Sequence, residues 1–213
     1  MNAGAAAGPR GPGGGLFVVF EGGEGAGKST QAALLTERLR ASGRSVTQTR
    51  EPGGTPTAEG IRSLVLADAA MSARCEALLF AAARAEHVAA LIEPALARGE
   101  VVVCDRYIDS SLAYQGYARE LNVSEVAALS RWATLGLLPD VTVLLDVEPG
   151  TGLTRATDGN RMESEDASFH RRVRAGLLEL ASAAPDRYLV LDAAQPREDL
   201  AAAVWERVEE LLA

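Results

Sequence analysis

The sequence predicts an α/β fold in which a doubly wound parallel sheet of about five strands is flanked by helices. Short, nearly continuous apolar runs alternate along the chain with longer stretches of helical period. Such runs are typical of strands that are covered on both faces, and repeated strand–helix–strand order requires right-handed crossovers and parallel pairing. A glycine-rich loop directly follows the first run, at the end of a strand where such folds bind ligands.

The individual elements are assigned from their hydrophobic period. The predicted strands are rich in β-branched and other apolar residues and comprise residues 16–20, 45–49, 101–104, 141–147 and 187–192. The predicted helices comprise residues 28–41, 57–66, 73–97, 123–135, 167–183 and 197–212. Because ligands bind beyond the carboxyl ends of parallel strands, the residues that follow each strand are the candidates for function.

Length and composition indicate a single domain, residues 16–213, after a tail of residues 1–15. A chain of 213 residues is long enough for one sizeable core. The tail is rich in Gly, Ala and Pro without an apolar stretch, so we expect a flexible extension and not a signal peptide. No run approaches the ~20 apolar residues that span a bilayer.

The charge and the cysteines restrict the partners and the location of the protein. A net charge of −8 argues against broad binding to nucleic acid or anionic membranes, because both need a cationic face. A phosphorylated small molecule in a local basic pocket stays possible. Cys75 and Cys104 have no metal-ligand spacing and are both predicted to be small buried thiols, which favours a reducing, cytoplasmic setting.

The loop after the first strand contains the phosphate-binding pattern G-x-x-x-x-G-K-[ST]. It has a strand before it and a helix after it, which is the context that a P-loop requires. Lys28 is the only lysine among 21 Lys and Arg residues, and its compact ammonium group suits a tight turn where a guanidinium fork does not. The Ser29 hydroxyl is a candidate Mg²⁺ ligand. The candidate ATP-binding residues are Gly22, Gly23, Glu24, Gly25, Ala26, Gly27, Lys28, Ser29 and Thr30.

Charged residues also follow the second and third strands. Arg50, Glu51 and Arg62 come after the second strand, and Asp105 and Arg106 come directly after the third. A carboxylate beside a P-loop can orient Mg²⁺ and its waters, and an arginine next to it can bind a phosphate bidentately. Asp105 and Arg106 therefore predict a Mg²⁺- and phosphate-binding site beside the P-loop, whereas Arg50 and Arg62, each taken alone, fit solvated surface charges.

A P-loop by itself is compatible with a kinase, a GTPase switch, a transport ATPase or a DNA-repair motor. Guanine-reading switches usually carry an [NT]-K-x-D motif, which a chain whose only lysine is Lys28 cannot contain. The acidic charge balance and the lack of a basic stripe argue against a nucleic-acid motor. These observations disfavour a switch and a motor, and the P-loop by itself does not decide between the remaining classes.

Six segments in order resemble thymidylate kinases of the bacterial type, from Leu16 onward. They are FEGGEGAGKST, TREPGGTPTAEGIRSLVL, EALLFAAARAEHV, CDRYIDSSLAYQGYAR, LPDVTVLLDV and NRMESEDASFHRRV. The resemblance implies a P-loop nucleoside monophosphate kinase fold with a lid. It also implies ATP- and Mg²⁺-dependent phosphorylation of dTMP to dTDP for dTTP synthesis, and a homodimer. A kinase for another nucleoside monophosphate is the second interpretation.

The resemblance assigns three residues to the nucleoside of the acceptor. Glu24 would face the 3′-hydroxyl. Phe80 would stack on the base, and Arg84, four residues later on the same helix face, would bind the thymine O4. Apart from the resemblance, Phe80 is predicted to be a core residue, because an aromatic side chain at helical spacing usually is. Arg84 is unusual in its apolar surroundings, because an unpaired buried charge is costly.

The acceptor phosphate is assigned to the segments after the second and third strands. By resemblance, Arg106 would hold the phosphate together with Arg50 or Arg62. Glu51 belongs to the same acceptor-binding segment, and its bond to Pro52 resembles a family turn that often contains a cis peptide.

The segment after the third strand supplies the remaining acceptor residues. The resemblance places Ser111 and Gln115 at the edge of the thymine and Tyr114 below the sugar, where a ribose 2′-hydroxyl would need room. Ser111 and Tyr114 fit a helix start and a core position equally well.

Residues 148–167 are predicted to form a lid over ATP. Family members without an arginine in the P-loop supply one from the lid, and this P-loop has none. Arg155 and Arg161 are the candidates, with Arg161 favoured; Thr157 stands where some relatives carry arginine. The dTMP phosphate is already anionic, so no general base is needed. Catalysis would rest on alignment and charge neutralisation by the catalytic set, which comprises Lys28, Asp105, Arg106 and Arg161.

Overall fold

The structure is a computed structural model that describes residues 14–67, 70–155 and 161–213. Within these residues there are five strands, β1 (Leu16–Gly22), β2 (Val46–Arg50), β3 (Val101–Asp105), β4 (Val141–Asp146) and β5 (Tyr188–Asp192). They form one parallel sheet in the order β2-β3-β1-β4-β5. All the predicted strands are present, and the predicted fold class is confirmed.

Helices cover both faces of the sheet. In the described part of the chain they are α1 (Lys28–Ala41), α2 (Pro56–Leu66), α3 (Ala73–His87), α4 (Glu93–Ala97), α5 (Ile108–Ser111), α6 (Val123–Ala133), α7 (Pro149–Arg155), α8 (Ala167–Ala183) and α9 (Arg197–Leu212). Two π-helical segments, Val88–Ile92 and Leu112–Ala118, follow α3 and α5, and a short 3₁₀ helix spans Pro185–Arg187. Each predicted helix is present.

The helical structure differs from the prediction in three stretches, one of which is α7 in the predicted lid, where no helix is predicted. The predicted helix 73–97 is continuous, but it widens to π geometry just before Pro94. Proline has no N–H and its ring clashes with the carbonyl four residues earlier, which accounts for the wider turn. Residues 108–118 are helical although no helix is predicted there. Their polar side chains obscure a helical period, and those side chains find partners only in the folded protein.

Two apolar layers form the core, one on each face of the sheet. On one face, Phe20 packs with Leu35 of α1 and Val204 of α9. On the other, Phe17 packs with Ile92 of the first π-helical segment. Every residue of β1 is buried, which explains its uninterrupted apolar run. This central strand therefore holds the loop after it in a fixed position.

Side chains cap several of the helices around the sheet. Thr55 caps α2 through the N–H of Ala58, and Ser72 caps α3 through the N–H of Cys75. Helix α1 follows Gly27, whose φ of 91° is left-handed, and no side chain caps it. The first N–H groups of α1 are thus available to a ligand.

Other predictions have mixed outcomes. Cys104 is buried as predicted, but the prediction that Cys75 is buried is wrong, because it lies on the solvent side of α3.

None of the described helices has the length and apolarity needed to cross a bilayer. Residues 1–13 of the predicted tail and residues 156–160 of the predicted lid, including Thr157, lie outside the described residues.

Candidate active site

A cavity of about 730 Å³ opens at the edge of the sheet where the parallel strands end. This is the position that a doubly wound fold predicts, and the volume is typical of small-molecule sites. Among the predicted site residues, those that line the cavity are Glu24, Gly25, Ala26, Gly27, Lys28, Ser29, Thr30, Arg50, Glu51, Arg62, Phe80, Arg84, Asp105, Arg106, Ser111, Tyr114 and Gln115. Gly22 and Gly23 lie behind them in the loop, and Arg161 does not line the cavity.

The backbone of the glycine-rich loop depends on conformations that side chains disfavour. Gly22 has a φ of 148°, and a Cβ added there would lie 2.5 Å from the carbonyl oxygen of Leu145 on the neighbouring strand. The loop therefore passes too close to β4 for any residue with a side chain at this position. This close passage turns the chain into the cavity before α1 begins.

Lys28 is buried at the base of the cavity. Its Nζ donates hydrogen bonds to the carbonyl oxygens of Gly22 at 3.0 Å and Gly23 at 2.8 Å. Burial and the nearby charge of Arg106 lower the pKa of Lys28. Since its partners are neutral carbonyls, a phosphate oxygen would be a stronger acceptor for the same ammonium group.

Ser29 and Asp105 bring two oxygen ligands together at the start of α1. The Ser29 hydroxyl donates to Oδ2 of Asp105 at 2.5 Å, and both residues line the cavity. The pairing of β1 with β3 aligns Phe20 with Asp105, which places this carboxylate beside the loop. A hydroxyl and a carboxylate fit Mg²⁺, which prefers few protein oxygens and retains waters and phosphate oxygens.

Arg106 links the loop to the acceptor half of the cavity. Its Nη2 donates to Oε1 of Glu24 at 2.8 Å, and its Nη1 donates to the carbonyl oxygen of Gly22 at 3.2 Å and to Ser110 at 3.1 Å. The φ of Arg106 is 71°, an uncommon conformation for a residue with a side chain. The turn after β3 is thus held in a strained form that points this guanidinium into the cavity.

Glu24 lies at the border between the loop and Arg106. The Tyr114 hydroxyl donates to its Oε1 at 2.8 Å. Burial would raise the pKa of Glu24, but the charges of Arg106 and Lys28 outweigh burial and lower the pKa to about 2. Glu24 is therefore an anion at neutral pH. It binds Arg106 and Tyr114, which are both predicted to contact the acceptor.

Arg84 reaches the opposite wall of the cavity from α3. It is 2% exposed, and its Nε donates to Oε2 of Glu51 at 2.7 Å. Its Nη2 donates to the carbonyl oxygen of Tyr107 and to the Ser111 hydroxyl, both at 3.0 Å. The other oxygen of Glu51 lies 3.1 Å from Nδ1 of His87. The buried charge is thus paired, and the buried Glu51 orients Arg84.

The second π-helical segment carries Tyr114 and Gln115, directly after Ser111 at the end of α5. All three side chains line the cavity. The Nε2 of Gln115 donates to Oε1 of the fully buried Glu76 at 2.8 Å. π-Helical turns are often found at functional sites, where they redirect side chains.

Arg50 and Arg62 both line the cavity near the turn after β2. The Arg50 side chain is half exposed, and its Nη2 lies 3.0 Å from Oε1 of Glu59. Arg62 is less exposed, and its Nη1 donates to the carbonyl oxygen of Pro52 at 2.9 Å. The Glu51–Pro52 peptide bond is cis, as in the family turn that this segment resembles.

Arg161 is held away from the glycine-rich loop. Its Nη2 donates to Oε2 of Glu76 at 2.7 Å and to the carbonyl oxygen of Val65 at 3.0 Å. The described structure therefore does not bring Arg161 together with Lys28 and Arg106. Oppositely charged Glu76 lies within reach in the fold, and the sequence interval of 85 residues between the two conceals that partner. The side chain of Arg155 lies outside the described part of the chain.

Glu21 is a residue of the site that the sequence analysis missed. It is fully buried at the end of β1 and accepts hydrogen bonds from the N–H groups of Tyr107 and Ser110 and from the Ser110 hydroxyl. Burial and the negative charge of Asp109 raise the pKa of Glu21 to about 7. The sequence signal that could have identified Glu21 is a carboxylate at the end of an otherwise apolar strand.

The chain is similar to known proteins over most of its length. The family model described as thymidylate kinase matches residues 20–204. A thymidylate kinase from Cutibacterium acnes is 51% identical over 201 residues, covering 93% of this chain and 98% of that protein. One from Deinococcus radiodurans is 51% identical over 200 residues, covering 92% and 97%. A crystal structure of thymidylate kinase from Ehrlichia chaffeensis has a TM-score of 0.77 at 33% identity, covering 92% of this chain and 99% of that one.

Proposed function

Because the chain belongs to the thymidylate kinase family, we propose that it transfers the γ-phosphoryl group of ATP to dTMP, forming dTDP for dTTP synthesis. It is a nucleoside monophosphate kinase, and its relatives named above are bacterial enzymes. The observation that carries this function is a single cavity lined by the P-loop residue Lys28, by Arg106 and by Arg84. No observation favours a GTPase switch or a kinase for another nucleotide.

The donor half of the cavity is assigned to ATP. The left-handed Gly27 and the uncapped start of α1 present N–H groups and the positive end of the helix dipole to phosphates. Lys28 would exchange its two carbonyl partners for the β- and γ-phosphate oxygens. Ser29 and Asp105 would hold Mg²⁺, which supplies charge neutralisation of the transferring phosphoryl group when it is bound with ATP.

The acceptor half is assigned to dTMP. Arg106, next to Arg50 and Arg62 at the same cavity, would hold the 5′-phosphate. Phe80 and Arg84 lie on one face of α3 beside the cavity, where they would stack on the base and bind its O4. In this arrangement the acceptor phosphate lies between Arg106 and the donor.

Glu24 and Tyr114 would contact the sugar. Both line the cavity, and the hydrogen bond between them fixes the tyrosine ring 5.1 Å from the Arg106 guanidinium. The remaining assigned acceptor residues, which complete the wall around the base, are Glu51, Ser111 and Gln115.

In the proposed reaction, the protein has to align the two substrates and to neutralise the charge of their phosphates. An anionic oxygen of the dTMP phosphate attacks the γ-phosphorus, the bond to the β–γ bridging oxygen breaks, and ADP leaves. Since the nucleophile is already deprotonated near neutral pH, no residue has to accept a proton. Lys28 and Arg106 would bring the two polyanions together and neutralise their charge.

The lid would supply one more cation. We keep Arg161 as the proposed lid arginine, with Arg155 as the alternative. In the described conformation Glu76 and Val65 bind the Arg161 guanidinium, so catalysis by Arg161 requires that these contacts break when ATP binds. Closure of the segment 148–167 would then exclude water and limit ATP hydrolysis.

An exposed apolar surface supports the proposed homodimer. Leu78 on α3, Trp132 on α6 and Leu135 just after α6 are 58%, 78% and 81% exposed, and α3 packs against α6. Large exposed apolar side chains of this kind mark interaction surfaces. Sedimentation equilibrium should show a dimer that Trp132→Glu dissociates. A wild-type monomer at micromolar concentration would contradict the proposal.

We also propose a cytoplasmic location. The two cysteines are free thiols, with one buried and one exposed, which fits a reducing compartment. Fractionation of cells that produce the tagged protein would test this, and recovery with the membrane pellet would count against it.

A coupled assay of ADP release tests the proposed function directly. The purified protein is incubated with ATP and Mg²⁺ and with each of a panel of nucleoside monophosphates, namely dTMP, dUMP, dCMP, dGMP and AMP. We expect the highest kcat/KM with dTMP. If dTMP were no better than the rest of the panel, the assigned substrate would be wrong even though the kinase assignment stood.

A further inference from the structure

We propose that Glu76 sets the base specificity of this site by fixing the orientation of the Gln115 side-chain amide. The inference rests on the proposed function, because it concerns the acceptor base. It assigns Glu76 as a positioning residue, which acts through Gln115 and does not touch the substrate itself.

The surroundings of Glu76 leave it only one chemical role. It is fully buried on α3, and both carboxylate oxygens accept hydrogen bonds. Oε1 accepts from Nε2 of Gln115 at 2.8 Å, and Oε2 accepts from Arg161 at 2.7 Å, while Arg119 contacts both oxygens at 3.3 Å. Burial would raise the pKa of Glu76, but the hydrogen bonds from Gln115 and Arg161 and the charge of Arg119 lower it. Glu76 is therefore ionised and can only accept hydrogen bonds.

This acceptor-only partner determines which way the Gln115 amide points. The Nε2 group must face Glu76, because the flipped amide would place an oxygen against a buried carboxylate oxygen. The Oε1 atom then occupies the other side of the amide. Gln115 is 1% exposed and lines the cavity, and its Oε1 has no hydrogen-bond partner among the described residues. With Nε2 turned towards Glu76, the Oε1 acceptor is the atom of the amide that is left for the ligand.

A base that fits this acceptor must present an N–H group. Thymine and uracil have N3–H, which donates, whereas the N3 of cytosine is an acceptor and would face the lone pairs of Gln115 Oε1. Arg84 on the facing wall can only donate, which suits the O4 of thymine and opposes the N4 amino group of cytosine. The Arg84 donor and the Gln115 Oε1 acceptor cannot exchange roles. Together they therefore select a 4-oxo pyrimidine that carries an N3–H group.

The mismatch with cytosine has an expected size. A buried acceptor that meets another acceptor lacks its hydrogen bond and keeps the full penalty of desolvation. We expect this contact to contribute roughly 10- to 100-fold to the kcat/KM preference for dTMP over dCMP.

Glu76→Gln tests the proposal, because a glutamine side chain can present either its oxygen or its nitrogen to Gln115. Both orientations of the Gln115 amide then become possible. The ratio of kcat/KM for dTMP to that for dCMP should fall roughly 10-fold or more. The ratio of dTMP to dUMP should not change, since these substrates share N3–H and O4 and differ only in the 5-methyl group.

Arg119→Gln is the matched control. It removes an ion pair of Glu76 but leaves the carboxylate as an acceptor for Gln115, so the ratio of dTMP to dCMP should stay at the wild-type value. Glu76→Asp also retains an acceptor-only partner and should restore most of the discrimination. If folded Glu76→Gln protein kept the wild-type ratio, or lost activity with all substrates in equal proportion, the proposal would be overturned.

A measurement on the wild-type chain covers the case in which Glu76→Gln does not fold. The side-chain amide signals of Gln115 can be assigned in ¹H–¹⁵N spectra by their loss in Gln115→Met. With dTMP bound, these hydrogens should be protected from solvent exchange, because Glu76 holds them. Fast exchange would overturn the proposal. A wild-type protein that shows no preference for dTMP in the kinase assay would instead refute the proposed function, and the amide protection would report on Glu76 independently.

Discussion

The two halves of the cavity are constructed in different ways. The donor half is formed almost entirely by one continuous stretch, residues 22–30, which supplies its backbone conformation and its single ammonium group, and only Asp105 comes from another strand. The acceptor half is assembled from four separate segments, whose side chains are oriented by the buried carboxylates of Glu21, Glu51 and Glu76. The donor half therefore depends on local backbone geometry, and the acceptor half depends on partners that are distant in sequence.

Two carboxylates at the border of these halves show the same contrast on a smaller scale. Glu21 and Glu24 are three residues apart, yet burial and Asp109 raise the pKa of Glu21 to about 7. Burial also acts on Glu24, but Arg106 and Lys28 lower its pKa to about 2. Two glutamates three residues apart thus differ in pKa because only Glu24 has cationic partners whose charges outweigh burial.

Lys28→Ala should have the largest effect, because the donor half has one cation. We expect kcat to fall by roughly two to five orders of magnitude, with an unchanged far-UV circular dichroism spectrum. Arg44→Ala, on the exposed surface beyond α1, is the control and should retain activity. A Lys28→Ala enzyme with near-normal turnover would show that the ammonium group is not part of the transfer step.

Glu51→Gln should affect the acceptor half and spare the donor half. The substitution leaves the buried Arg84 without its counter-ion, which should cost about 3–5 kcal/mol and lower the melting temperature by roughly 10 °C. The KM for dTMP should rise while the KM for ATP stays within about twofold. Equal changes in both KM values would indicate that the two halves are not independent in the way described above.

Glu21→Gln should change how stability depends on pH. Folding raises the pKa of Glu21 from 4.5 to about 7, so the native state binds more protons than the unfolded state between these values. Stability therefore falls as pH rises through this window, by about 2–3 kcal/mol, and the glutamine variant should lack this fall. Urea denaturation at about pH 5 and about pH 8 measures this fall in the free energy of unfolding.

Glu24→Gln is the control for this pH series. The lowered pKa of Glu24 contributes stability that is present above its unfolded value and is lost only as pH falls towards about 2. The Glu24→Gln variant should therefore keep the wild-type slope between about pH 5 and pH 8. An identical slope in wild-type and Glu21→Gln protein would show that Glu21 is ionised throughout.

Arg50→Gln should have the smallest effect of the series. Arg50 is half exposed and its pair with Glu59 is a surface ion pair, so we expect the KM for dTMP to rise by less than about fivefold. Arg62→Gln should raise the KM for dTMP more, because Arg62 is the less exposed of the two arginines. If Arg50→Gln were the more damaging variant, Arg50 and not Arg62 would be the partner of Arg106 at the phosphate.

Much of the architecture could be predicted before the structure was known. The apolar runs of the strands and the period of the six helices are local properties, and the glycine–lysine pattern after β1 specifies its own backbone. The prediction for Arg84 and Arg106 was of a different kind. A buried arginine indicates that a partner exists, but its identity as Glu51, 33 residues away, could not be obtained from a local pattern.

The sequence by itself thus determined the parallel sheet, the helices, the P-loop and the single position at which lysine is required. Only the tertiary structure decided that Arg161 pairs with Glu76, that Glu21 is buried under the turn after β3, and that Cys75 faces solvent. The physical reason is the distance along the sequence over which each kind of interaction acts. Backbone conformation and hydrophobic period act over a few residues, whereas side-chain pairing, burial and pKa depend on segments that only folding brings together.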